Sequence, residues 1–155
     1  MRSDPIMNDS LFFCSKNAAS AKRRIFVFWE AKAMNRSDME AYIARQYGVL
    51  PEYPWVSSPE SAVFRHTGNR KWFAVIMEIP RGKLGLSGED MLQVINFKHD
   101  AAAIAALWAQ PGCYPAYHMN KNHWVTVALD GTADNELLLY LLERSFCLTG
   151  CAAKR

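Results

Sequence analysis

The chain has 155 residues, half of them hydrophobic, which suits one globular domain with a core of its own. Its formal charge of +3 is unevenly held: residues 1–33 carry six basic and three acidic side chains, and residues 34–155 carry twelve of each. That balance speaks against a strongly basic nucleic-acid-binding domain while leaving room for a local basic face, and no run approaches the roughly 18 apolar residues of a membrane helix.

Residues 1–24 mix Ser, Asn, Ala and Lys without period and are expected to form a poorly ordered tail. Ile25 to Trp29 (IFVFW) is a short apolar, β-favouring run. Phe12 and Phe13 are too few for the apolar stretch of a secretory signal, and Cys14, Cys113, Cys147 and Cys151 are scattered without a C-x-x-C pair. Reduced thiols and a cytoplasmic location are therefore expected. The organisation read from this is an N-terminal extension over 1–33, which the fold does not need, and a domain over 34–150.

Within that domain, Ser37 with Glu40 three residues on reads as a capping box, followed by Met39, Tyr42, Ile43, Gln46 and Tyr47 at helical spacing and a stop at Gly48. A Pro- and Ser-rich turn from Pro51 to Pro59 encloses Tyr53-Pro54-Trp55. Two strands, Ala62 to His66 and Arg70 to Ile79, flank Thr67-Gly68-Asn69. The segment from Arg81 to Gly88 is a Gly-rich connection, and Met91 to Lys98 (MLQVINFK) is the next strand. Asp100 is placed to cap an Ala-rich helix, Ala101 to Ala109, which Pro111-Gly112 ends. A hairpin spans Tyr114 to Gly131, with Val125, Val127 and Leu129 alternating on its second arm. The last helix runs from about Asp134 to Leu148, with Leu138, Leu141, Leu142 and Ser145 on one face. This order predicts an α+β two-layer sandwich, an antiparallel sheet with helices on one face.

Catalytic chemistry finds little support. Ser57, Ser58 and Ser61 lack a nucleophile-elbow context, and the run from Gly82 to Gly88 (GKLGLSG) lacks the Gly-Lys-Ser/Thr entry into a helix that a phosphate loop needs. His118 and His123 would face each other across a ladder if Asn120-Lys121 made a two-residue turn, but two imidazoles are an incomplete zinc set. No catalytic residue, metal or cofactor is expected, and the chain is not expected to be an enzyme. Tyr53, Trp55, Trp72 and Trp124 could line a pocket or stack on bases, and could equally be core packing.

One set of residues points further. Tyr53-Pro54-Trp55, Val63-Phe64-Arg65, Lys71-Trp72-Phe73-Ala74, Asn96-Phe97-Lys98 and Pro115 through His118-Met119-Asn120-Lys121 to His123-Trp124 together resemble the MmcQ/YjbR family over about residues 34–148. The resemblance implies a frataxin-like (CyaY-like) fold and a double-wing DNA-binding role in which two β-hairpins serve as wings. It brings no catalytic residues. Phe146 stands where the family often has Tyr after Ser, and the N-terminal extension lies outside the usual pattern.

On that reading the first wing presents Arg65, His66, Asn69, Arg70 and Lys71, and the second presents His118, Asn120, Lys121, Asn122 and His123, with Arg81, Lys83 and Lys98 expected nearby. Arg, Lys and Asn are suitable donors to phosphates and base edges. Lys121 is the sole permanent cation of the second wing, so binding is expected to be weak and salt-sensitive. The alternative is a small-molecule or protein-interaction domain using the face around Tyr53, Trp55, Trp72 and Trp124.

Overall fold

A computed structural model describes residues 32–150. The expected tail and the Ile25–Trp29 run lie outside the described residues. Helix α1 (Arg36–Tyr47) starts two residues earlier than the spacing predicted. Its capping box is Asn35 with Asp38: the Asn35 side chain accepts from the Asp38 amide at 2.9 Å, and the Asp38 carboxylate accepts from the Asn35 amide at 3.0 Å. Those reciprocal bonds satisfy the first orphan donors, so Ser37 already sits inside the first turn. Gly48 closes the helix in the left-handed conformation, as expected.

Five strands follow, β1 (Ala62–Arg65), β2 (Trp72–Pro80), β3 (Met91–Lys98), β4 (Cys113–Pro115) and β5 (Trp124–Ala128). They form one open antiparallel sheet in the order β1-β2-β3-β5-β4. Helix α2 (Ala101–Leu107) connects β3 to β4 and stops two residues short of the expected end. Asp100 occupies its N-cap position without a side-chain capping bond, because its carboxylate instead accepts from Arg144 at 2.7 Å. Helix α3 (Asn135–Gly150) closes the described chain.

Strand alternation divides the apolar side chains between two layers. Ile76, Ile95, Phe97, Val125 and Val127 face the helices and join Met39, Ile43, Leu138, Leu141 and Leu142 in one cluster. Between Phe64↔Ala74 and Arg65↔Trp72 the register gains one residue, Phe73. This bulge keeps Phe73 and Ala74 both in the helix-side cluster. Ser145, buried on α3, donates to the Phe73 carbonyl at 2.5 Å and accepts from the Lys98 amide at 2.9 Å, tying the helix to β2 and β3. Asn135 does the same for the entry to α1, accepting from the Met34 amide at 3.0 Å and donating to the Lys32 carbonyl at 2.6 Å. The α+β two-layer arrangement with its helices on one face is thus as the sequence predicted.

The other sheet face is apolar too. Val63, Val75, Met77, Ile79, Leu92, Val94 and Ala128 form a second buried cluster, with no α-helix over it among the described residues and only the 3-10 turn Arg81–Leu84 beside it. Trp55, Trp72, Leu84, Leu86, Tyr117 and Met119 pack against it instead. Five consecutive buried residues in β5 follow from this double coverage.

Both hairpin connections are longer than the sequence suggested. The first occupies residues 66–71, where a three-residue turn was expected. The second occupies residues 116–123, so the two-residue turn that would set His118 opposite His123 does not form. Asn120 organises that loop: its carbonyl accepts from the amides of His123 and Trp124, and its side chain accepts from the Asn122 amide at 2.9 Å.

Candidate nucleic-acid interface

The first hairpin tip is held down rather than extended. His66 places Nε2 2.7 Å from the Thr149 hydroxyl and 3.0 Å from the Phe146 carbonyl, and its ring packs on Phe73 and Phe146. Thr149 donates its own proton to the Ser145 carbonyl, so the imidazole Nε2–H is the donor to this end of α3. Burial pushes the His66 pKa down and Lys71 adds to this, against the bond to Phe146. Asn69 donates to the Thr149 carbonyl at 3.0 Å while its oxygen accepts from the Lys71 amide at 2.9 Å. Two of the predicted DNA contacts, Arg65 and Arg70, converge on one carboxylate: Arg65 Nε lies 2.8 Å from Glu52 Oε1, and Arg70 Nη2 lies 2.8 Å from Oε2. The bonds from Arg70 and Arg65 hold the Glu52 carboxyl below its usual range. Lys71 is exposed and makes no ion pair among the described residues.

On the second loop, His118, Asn120, Lys121, Asn122 and His123 are all exposed. His118 lies against the Tyr117 ring, with centroids 4.1 Å apart. Apart from glycine, Arg70 (φ 63°) and His118 (φ 66°) have left-handed backbone among the described residues, and one lies in each hairpin loop. Such conformations carry strain that the surroundings must hold in place.

The two hairpins meet at one end of the sheet, beside the last turn of α3. A cleft of about 500 Å³ is lined by Lys71, Trp72, Lys98, Met119, Trp124, Leu148 and Thr149. Lys98 Nζ sits 5.8 Å from the Trp124 ring centroid, and the Arg65 guanidinium lies 5.4 Å from that of Trp72. A neighbouring cleft of about 450 Å³ is lined among others by Trp55, Ser58, Trp72, Tyr117, His118 and Met119. Trp55 and Trp72 meet edge to face there, with centroids 5.6 Å apart. Beside Val75 on the same face, the buried Asn96 accepts from the Thr126 hydroxyl, and its amide nitrogen makes no hydrogen bond among the described residues.

Of the predicted pocket residues, Trp55, Trp72 and Trp124 line these clefts, whereas Tyr53 is half exposed and lies outside both. Sequence reasoning missed Glu52, the neutralising partner of two arginines, and gave Tyr117 and Met119 no role. The alternation of Tyr117 and Met119 around His118 was the available signal.

No metal centre is assembled: among the described residues, no group of three or more His, Cys, Asp or Glu could hold an ion. Cys113 is a buried free thiol that burial pushes up to about 11. Cys147 is buried on α3. No helix among the described residues is long and apolar enough to cross a membrane.

Comparison with known proteins places this architecture. The chain is 35% identical over 116 residues to the protein YyaQ of Bacillus subtilis (strain 168), covering 75% of this chain and 98% of that one. A crystal structure of a Pseudomonas syringae protein is 43% identical, with a TM-score of 0.74 over 75% of this chain and 99% of the other. The Deinococcus radiodurans protein DR2400, described as a DUF419 domain, is 25% identical, with a TM-score of 0.55 over 79% of this chain and 81% of its own. A family model described as YjbR matches residues 44–148. With two thirds of its length inside that match, the chain belongs to the YjbR family.

Proposed function

We propose that this protein is a non-enzymatic binding module that takes DNA weakly and salt-sensitively in the cleft between its two hairpins. The observation that carries the reading is the lining of that cleft, where Lys71 and Lys98 stand beside Trp72 and Trp124 with no carboxylate among the lining residues. Phosphates are neutralised by such cations, and aromatic side chains add sequence-tolerant contact. The left-handed residues Arg70 and His118, one in each loop, lend support because backbone strain concentrates at functional sites. With few cations available, affinity falls in the non-specific range, a Kd of roughly 10⁻⁴–10⁻⁶ M.

The test is a titration of labelled DNA at two salt concentrations. Binding should weaken with salt, and Lys71→Glu or Lys98→Glu should each flatten the logarithmic slope by about 0.9 on a duplex. No binding at low salt, or a slope in both variants unchanged from the parent's, would sink the reading.

The neighbouring cleft favours a second reading, a small-molecule or peptide site. Trp55, Trp72, Tyr117 and Met119 offer apolar walls, and Ser57 and Ser58 offer hydroxyls. A compound that quenches tryptophan fluorescence without any salt dependence would favour it over DNA.

A further inference from the structure

We infer that the two clefts are one groove whose occupant is single-stranded nucleic acid, its phosphates at the lysine end and its bases over the aromatic end. This rests on the reading of the cleft between the hairpins as a nucleic-acid interface, and it names the class of ligand. Three observations carry it. The clefts share Trp72 and Met119 in their linings, so a chain lying in one passes directly into the other. Their chemistry is graded: Lys71 and Lys98 border one end, while Trp55, Tyr117 and the hydroxyls of Ser57 and Ser58 border the other, where Glu78 keeps phosphate away and leaves the bases to the rings. A groove that tracks a charged backbone beside stacking rings is the arrangement single strands need, because only unpaired bases expose their faces.

The third observation concerns the duplex. A wing that enters a DNA groove must project donors, yet the first hairpin tip is pinned to α3 through His66 and Asn69. Arg65 and Arg70 on that hairpin are already held by Glu52. Arg65 also lies over the Trp72 ring, the ring that both clefts share. What this face offers is therefore a floor rather than a probe.

Fluorescence anisotropy with a labelled thymidine oligonucleotide, and with a duplex of the same length, tests the inference on the full chain. The single strand should bind about tenfold or more tightly than the duplex at equal salt. Trp72→Leu should weaken single-strand binding by about fivefold to a hundredfold, the range for loss of one stacked base, and should weaken duplex binding by less. Trp55→Leu, whose ring is half-buried on a loop, serves as the second variant should Trp72→Leu fail to fold. Lys98→Glu should flatten the single-strand salt slope by about 0.7. If the duplex binds as tightly as the single strand and neither tryptophan matters, the groove inference is overturned while the proposed function stands. Absence of binding to either probe overturns both.

Discussion

Gly112 marks where the sheet depends on a missing side chain. Its φ of +83° lies in the left-handed region, and a Cβ there would come within 2.8 Å of the Ala133 amide nitrogen and 2.9 Å of the Ala133 Cβ. The approach lets the Gly112 carbonyl accept from the Ala128 amide at 2.9 Å, which seats β4 beside β5. Gly112→Ala combines backbone strain with a clash against backbone, and it should destabilise the fold by about 2–4 kcal/mol in urea unfolding. Gly68, at the first hairpin tip, has open space around it and an ordinary φ. Gly68→Ala should stay within about 0.5 kcal/mol of the parent, and an equal loss in both variants would refute the steric account.

The first hairpin and the end of α3 are joined by a titratable group. His66 sits with Nε2 against Phe146 and Thr149, and a Cβ on Gly150 would approach its Cε1 to 2.8 Å, so the ring is closely enclosed. Lys71 is the charged group facing it. Burial lowers the His66 pKa below the unfolded value of about 6.5, so below that pH the unfolded chain binds more protons than the folded one. Stability is therefore full at neutral and higher pH and falls as pH drops through 6.5 toward the folded value. His99, whose pKa burial also lowers, adds a slope of the same sign. Urea midpoints measured between neutral pH and pH 5 should decrease, and His66→Gln should make that decrease shallower without abolishing it. Midpoints that rise on acidification, or a slope unchanged in the variant, would show that the contact does not titrate with folding. How much of this was legible in the sequence follows from the range of the interactions. Periodicity located β3 and the buried stripe of α3, because both are set by local alternation along the chain. The capping box slipped from Asn35 to Ser37 because both positions offer a side-chain oxygen three residues before a carboxylate. Docking of His66 and Asn69 onto Thr149 joins residues about eighty apart, and no local pattern carries that. The tryptophans stand out in the sequence, but only the fold shows that Trp55, Trp72 and Trp124 line two adjoining clefts.

Charge over the whole molecule brings these pieces together. The domain is neutral by count, so any attraction for a polyanion depends on how its acids and bases are distributed. Lys71 and Lys98 stand at the end of the groove whose lining holds no acid, Glu78 borders the aromatic end, and Arg65 and Arg70, on the same hairpin as Lys71, are neutralised by Glu52. Glu52 is anchored through its backbone, its amide and carbonyl bonding to Val63 at 2.9 and 2.8 Å. Its side chain can thus be altered without moving the chain that bears it. Glu52→Gln removes the negative charge, keeps the shape and frees both guanidiniums. If the groove takes nucleic acid, this variant should bind a single strand several-fold more tightly at low salt. Each guanidinium that reaches a phosphate should steepen the salt slope by about 0.7. The gain should vanish at high salt, where screening erases the added attraction. Unchanged affinity at low salt would mean that the arginines beside Glu52 lie outside the ligand's path, confining the interface to Lys71, Lys98 and the tryptophans between them.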